Sequence, residues 1–205
     1  MSFDDSVFIN CPFDRKYKRL LHPLIFCCLY LGLEPKLSLL YDSGKSRLKN
    51  IIDLLKSCKY SIHDLSRMTS SKPHEFARFN MPFELGVDIG IKSYPGDELA
   101  SKKCLVIDTE KYRYRISLSD LSGGDIASYG KRNQPEKLIK AVRDWLTNTK
   151  NPTQPAASEI FSEYVEFVAD LQLQLMNFGY TRNDISNLTD SEYINYCKNW
   201  ISARG

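Results

Sequence analysis

The residues best placed to do chemistry lie in the stretch Arg78-Phe79-Asn80-Met81-Pro82-Phe83-Glu84-Leu85-Gly86-Val87-Asp88-Ile89-Gly90. The pattern predicts a helix starting near Pro82, because proline at a first helical position loses only an N–H that would be unpaired anyway. Asn80 precedes it and is placed to cap, its side-chain oxygen accepting an orphan amide. Glu84 then falls in the first turn, where the helix macrodipole favours a carboxylate and holds it ionised. Asp88, one turn on, shares that side. Gly86 and Gly90 also share a face, which they would let press against a sheet. A short acidic stripe at the mouth of an otherwise apolar helix is the strongest candidate for the chemistry; its plainer reading is a favourable first-turn charge.

Other combinations carry less. Gly44-Lys45-Ser46 has the end of a phosphate-binding loop, but that motif needs another glycine five residues before Gly44, where Leu39 stands. Lys45 and Arg47 are still expected at a helix N-terminus, able to meet an anionic ligand. Arg15, Lys16, Lys18 and Arg19 form a basic cluster near the start of the first helix, where Phe13 and Tyr17 are available to stack on a base or line a pocket. Cys11 precedes that helix, whose dipole could lower its pKa, and with His63 it makes a conceivable nucleophile pair. Metal binding is not expected: His22, His63 and His74 lack paired helical spacing, and no two cysteines stand two to four residues apart.

The frame that must position these groups reads as alternating strands and helices. Short apolar runs at 6–10, 35–40, 60–64 and 103–108 predict strands. Helical spacing covers 15–31, closed by Gly32, then 46–58, the segment from Pro82, and 135–146. Charged and aromatic residues alternating over 111–117 suggest an edge strand, and Ser122-Gly123-Gly124-Asp125 a turn. The pattern predicts an α/β domain over residues 1–149, a flavodoxin-like (Rossmannoid) parallel sheet with helices on both faces. Ligands of such sheets sit beyond the carboxyl ends of the strands, here marked by Asn10, Leu40-Tyr41-Asp42, His63-Asp64 and Asp108. The helix of Glu84 begins on the same rim. Residues 150–157, with two prolines, read as a linker, and 158–205 as a helical extension: one helix capped by Ser158, a second starting near Thr189. So small a unit cannot bury its apolar residues alone, so it is expected to pack on the main domain, another copy or a partner protein.

The composition, 42% hydrophobic and 26% charged over 205 residues, is that of a globular protein. A formal net charge of +3 argues against nucleic acid as the main partner and leaves a phosphate-bearing small molecule compatible. The most apolar stretch, 20–33, is broken by His22 and Pro23, so no membrane span is expected. The acidic start gives no sign of a signal peptide, and six scattered cysteines suit free thiols in a cytoplasmic protein.

The strand ending Ile9-Asn10-Cys11-Pro12-Phe13 resembles the opening of nucleoside 2-deoxyribosyltransferases and deoxynucleoside-monophosphate N-glycosidases. The strand ending in Asp64, followed by a loop and Phe83-Glu84-Leu85-Gly86, matches their layout, and TIR domains that hydrolyse NAD are similar at the same element. The resemblance covers roughly residues 6–108. It implies that Glu84 is a catalytic carboxylate acting at the anomeric carbon as the base departs, since N-glycoside cleavage passes through an oxocarbenium-like state that a preorganised anion stabilises. Asp64 would hold sugar hydroxyls or orient Glu84; Asn10, Phe13 and Tyr17 would contact base or sugar. Deoxyribosyltransferases place an aspartate and a Gly-Thr pair before this helix, where Arg78, Phe79, Asn80, Met81 and Pro82 stand here. Arg78 would instead suit a phosphorylated substrate, with Arg47, Asn80, Met81 and Asp88 completing the contacts. The expected activity is hydrolysis or transfer at the base–ribose bond of NAD or a nucleoside monophosphate. NAD would then be substrate rather than cofactor, and the helical extension would mediate assembly, as in bacterial defence or signalling effectors. The alternative is a nucleotide sensor that relays binding to a partner without catalysis.

Overall fold

The computed structural model describes residues 2–38, 46–68, 70, 77, 79–93, 98–121, 126–131 and 134–204. Arg78, His74, Lys45, the rim residues 40–42 and the turn predicted at 122–125 lie outside the described residues. Strands β1 (Ser6–Asn10), β2 (Glu34–Leu37), β3 (Tyr60–Asp64), β4 (Lys103–Asp108) and β5 (Ile126–Ser128) form one parallel sheet in the order β2-β1-β3-β4-β5. Helices α1 (Lys18–Tyr30), α2 (Arg47–Lys56), α3 (Asn80–Lys92) and α4 (Pro135–Thr149) connect or cover them. This is the flavodoxin-like order. The chain leaves β1 toward β2 on one side and comes back to β3 on the other, which opens a crevice between the carboxyl ends of β1 and β3.

Every residue of β1 and β3 is buried, as strands covered on both faces must be. Alternation along each strand assigns the sides. Val7, Ile9, Tyr60 and Ile62 join the core of α1 and α4, whereas Phe8 packs with Ile51, Leu54 and Leu55 of α2 and with Val87 and Ile91 of α3. Gly32 ends α1 with φ +73°, and the Leu33 N–H reaches back to the Cys28 carbonyl at 2.8 Å while that of Gly32 bonds Leu29. This left-handed closure is why a glycine stands there.

Three local expectations change. Helix α3 starts two residues before Pro82, with Phe79 as N-cap and no side-chain cap, so Asn80 is helical and exposed. Pro82 still costs nothing, because the first backbone bond is donated by Phe83 to Phe79. Glu84 therefore lies beyond the first turn, and Gly86 and Gly90 face away from the sheet with nothing near them. The segment 111–117 is not a strand. Arg113 to Ile116 coil into a 3-10 turn in which Tyr114 is buried and Ile116 is 89% exposed, although alternation would put both on one side. The edge position belongs to the three residues of β5.

Beyond α4, helices α5 (Ala157–Asn177), α6 (Arg182–Ser186) and α7 (Asp190–Ser202) complete the chain. Ala156, not Ser158, precedes α5 as its N-cap, while Thr189 and Glu192 form a reciprocal capping box at α7. The inner residues Ile160, Phe167, Leu171, Leu175, Ile194 and Cys197 belong to the same core as α1 and α4. Phe26 of α1 is central there, stacked on Phe167 at 5.3 Å and tilted against Trp200 at 5.9 Å between ring centroids. The apolar surface too large for a small helical unit is thus buried in part on the α/β domain. All six cysteines are free, and among the described residues no helix is long and apolar enough to cross a membrane.

Candidate functional site

A pocket of about 330 Å³ opens at the β1/β3 crevice. It is lined by the β1 end and its following loop (Asn10, Cys11, Pro12, Phe13, Asp14), by Arg47 at the start of α2, and by Asn80, Met81 and Glu84 of α3. The fold thus gathers Asn10, Phe13, Arg47, Asn80, Met81 and Glu84 from elements distant in sequence. Glu84 is only 5% exposed, and among the described residues no donor is hydrogen-bonded to its carboxylate. Burial raises its pKa above the ordinary glutamate range, while the Arg47 guanidinium pulls it back toward ionisation.

Behind the pocket runs a buried polar chain. The Asn10 amide nitrogen donates to the Met81 carbonyl at 3.1 Å and to His63 Nδ1 at 3.0 Å. Nδ1 is therefore an acceptor, and the ring proton sits on Nε2, 3.1 Å from Asp88 Oδ2. Burial resists a second proton on His63, whereas Cys104 and Asp88 favour one. A proton on Nδ1 would meet the Asn10 amide hydrogens, so the hydrogen bonds select the ring protonated on Nε2 alone. Asp88 also accepts from the Ser61 hydroxyl, and its Oδ1 lies 3.2 Å from Lys102 Nζ. Burial works against its charge, but His63, Lys102 and Ser61 hold its pKa below the usual aspartate range. Lys102, itself 1% exposed, donates to the carbonyls of Leu55 (2.7 Å) and Cys58 (2.5 Å).

Three expected groups do not enter the pocket as substrate contacts, and the conceivable Cys11–His63 pair does not form. Asp88 shares a helix side with Glu84, yet its oxygens are engaged and it borders a separate cleft with Lys102 and Cys104. Asp64 lies on the opposite face of the sheet, by the same alternation that separates Ile62 from His63. Its Oδ2 accepts from Tyr17 and from Tyr129 at 2.9 Å, and its Oδ1 accepts the Ser66 amide at 2.7 Å. Tyr17 is consequently buried, its hydroxyl given to Asp64 rather than to a ligand. Cys11 borders the pocket, but burial and the surrounding carboxylates push its thiol well up, and it belongs to the α1 core while His63 faces α3. The nucleophile pair is thereby removed.

Sequence reasoning missed Tyr129, Ser61 and Lys102 as partners of the buried aspartates. Only Ser61, polar within an apolar strand, leaves a trace in the sequence. It also missed that His63, Asp88 and Cys104 bring ligand atoms within 4.8 Å of one another. A metal fits poorly there: the Lys102 ammonium already supplies the positive charge at Asp88, and the His63 nitrogen facing the trio carries the proton.

No model of a known protein family matches the chain, and no curated protein does. The functional reading therefore rests on the pocket.

Proposed function

We propose that the protein is an N-glycosidase that cleaves the base–ribose bond of a nucleotide, NAD or a nucleoside monophosphate, with Glu84 as the catalytic carboxylate. One observation carries the reading: a nearly buried carboxylate, bonded to no donor among the described residues, faces a pocket at the sheet's ligand crevice. An anion left without protein partners costs stability, and such groups mark sites where a ligand completes the bonding. As the C1′–N bond breaks, its electron pair leaves with the base and positive charge grows on the sugar; water then bonds to C1′, its proton passing to the departing base or to solvent. Glu84 faces that charge in a low-dielectric setting, where a fixed anion acts most strongly. Arg47, exposed at the pocket's edge at the start of α2, suits a phosphate, and Phe13 offers a ring face to a base or sugar. The resemblance to deoxyribosyltransferases and NAD-hydrolysing TIR domains supports the same assignment, and the proposal extends with it to a cytoplasmic effector role in bacterial defence. Asp64 and Asp88 keep supporting roles: one ties α1 to the sheet, the other fixes His63 and through it Asn10.

The test incubates wild type and Glu84→Gln with NAD and a panel of nucleotides and follows base release by chromatography. Release by wild type alone supports the glycosidase. Nucleotide binding without release by either protein replaces it with a sensor.

A further inference from the structure

Cys104 differs from the other five cysteines. Cys11, Cys27, Cys28, Cys58 and Cys197 are buried, and burial pushes their thiols up. Cys104 is partly exposed, because β5 pairs with β4 only from Val106 onward, and among the described residues no strand flanks the start of β4 on that side. The uncovered edge leaves a cleft of about 410 Å³ against α3, lined by Asp88, Ile89, Lys92, Ser93, Lys102 and Cys104. A cleft of this size admits a small molecule.

The thiol has neighbours suited to reaction. Its sulfur lies within 4.8 Å of ligand atoms of His63 and Asp88. The proton on His63 Nε2 favours the thiolate, and Lys102 balances the Asp88 charge that would oppose it. A separate observation points to a ligand. Asp88 is 2% exposed, and its Oδ1 accepts no hydrogen bond. Lys102 Nζ stands 3.2 Å from that oxygen but donates to the Leu55 and Cys58 carbonyls. Oδ1 is therefore open to a donor arriving through the cleft. Lys92, on the same cleft, is exposed and makes no ion pair among the described residues. A molecule that meets all three groups brings a sulfur to Cys104, an N–H to Asp88 and a carboxylate to Lys92. Those are the groups of a small peptide thiol.

We propose that Cys104 is a modification site that forms a mixed disulfide with a low-molecular-weight peptide disulfide of the glutathione class. Cys104 gives its thiol proton to solvent, its sulfur bonds to one sulfur of the disulfide, and the S–S bond breaks. The other sulfur leaves as a thiolate and takes up a proton. One thiol is consumed and one released, with no further oxidant. The site is independent of the reaction proposed for Glu84.

The test incubates the full chain under native conditions with glutathione disulfide and maps the adducts by mass spectrometry. Trypsin isolates Cys104 on the peptide 104–111, apart from the other cysteines. One adduct per chain is expected, on that peptide, reversed by a reducing thiol and absent in Cys104→Ser. Lys92→Ala should slow its formation about 3-fold and leave the rate with uncharged hydroxyethyl disulfide unchanged. An unmodified 104–111 peptide overturns the proposal, as do adducts spread evenly over the six cysteines. A rate indifferent to Lys92 overturns the class of ligand. The wild-type peptide map decides the position even if Cys104→Ser loses its fold by circular dichroism.

Discussion

Asp64 and Glu84 are both buried carboxylates near the carboxyl end of the sheet, yet their surroundings differ in kind. Asp64 sits on the α1 side with both oxygens supplied by Tyr17, Tyr129 and Ser66. Glu84 sits on the α3 side with open space before it and no donor among the described residues. Burial raises the pKa of both, but hydrogen bonds to Asp64 offset part of that cost. A satisfied buried anion holds structure together; an unsatisfied one is held ready for something else. The residue type alone does not separate the two roles, whereas the donor count does.

The comparison breaks most directly at Glu84. Glu84→Gln should lower base release by roughly 10³-fold or more. The same change should raise stability at neutral pH by about 1 kcal/mol, because it removes a buried, unpaired charge. The sign with pH follows from the raised folded-state pKa. The burial penalty is present while Glu84 is ionised and fades as pH falls through that pKa, so thermal melts of variant and wild type should converge in acid. An unaltered rate in the variant would remove Glu84 from the chemistry.

Asp64→Ala should behave in the opposite way, costing about 3 kcal/mol of stability in chemical denaturation by stranding the buried Tyr17 and Tyr129 hydroxyls. Whatever protein remains folded should keep its active-site chemistry. Arg47→Ala should weaken phosphorylated substrates about 10-fold in KM, with a smaller change in kcat. It should also move the acid limb of the rate profile to higher pH, because Arg47 helps to keep Glu84 ionised. The smallest effect belongs to Tyr129→Phe, which takes one donor from Asp64. A loss of about 1 kcal/mol with intact kinetics would confirm that the two carboxylates are independent.

Much of the frame was legible because strand period and turn chemistry are local. Strands β3 and β4 fall on the predicted residues, and Gly32 marks the end of α1 by a conformation that favours glycine. The opposed sides of Asp64 and His63 follow from adjacency in one strand, though their consequence for the site waits on knowing which helix covers which face. What was illegible is nonlocal. The start of α3 is set by backbone pairing from Phe79 rather than by Asn80, and a three-residue β5 is too short to show a period. Lys102 reaches Asp88 because the 3-10 turn Glu98–Ser101, just before β4, packs on α3, and nothing in its neighbourhood announces a buried lysine.

Asn10 carries a final consequence. Both hydrogens of its amide are committed, one to the Met81 carbonyl and one to His63. What it can present to the pocket is its oxygen. A ligand atom arriving there must bring its own hydrogen: a sugar hydroxyl or an amino group is received, while a bare carbonyl, ring nitrogen or phosphate oxygen meets lone pairs with lone pairs. With the Glu84 carboxylate lining the same pocket, the two side chains offer acceptors to a ligand that brings its own hydrogens.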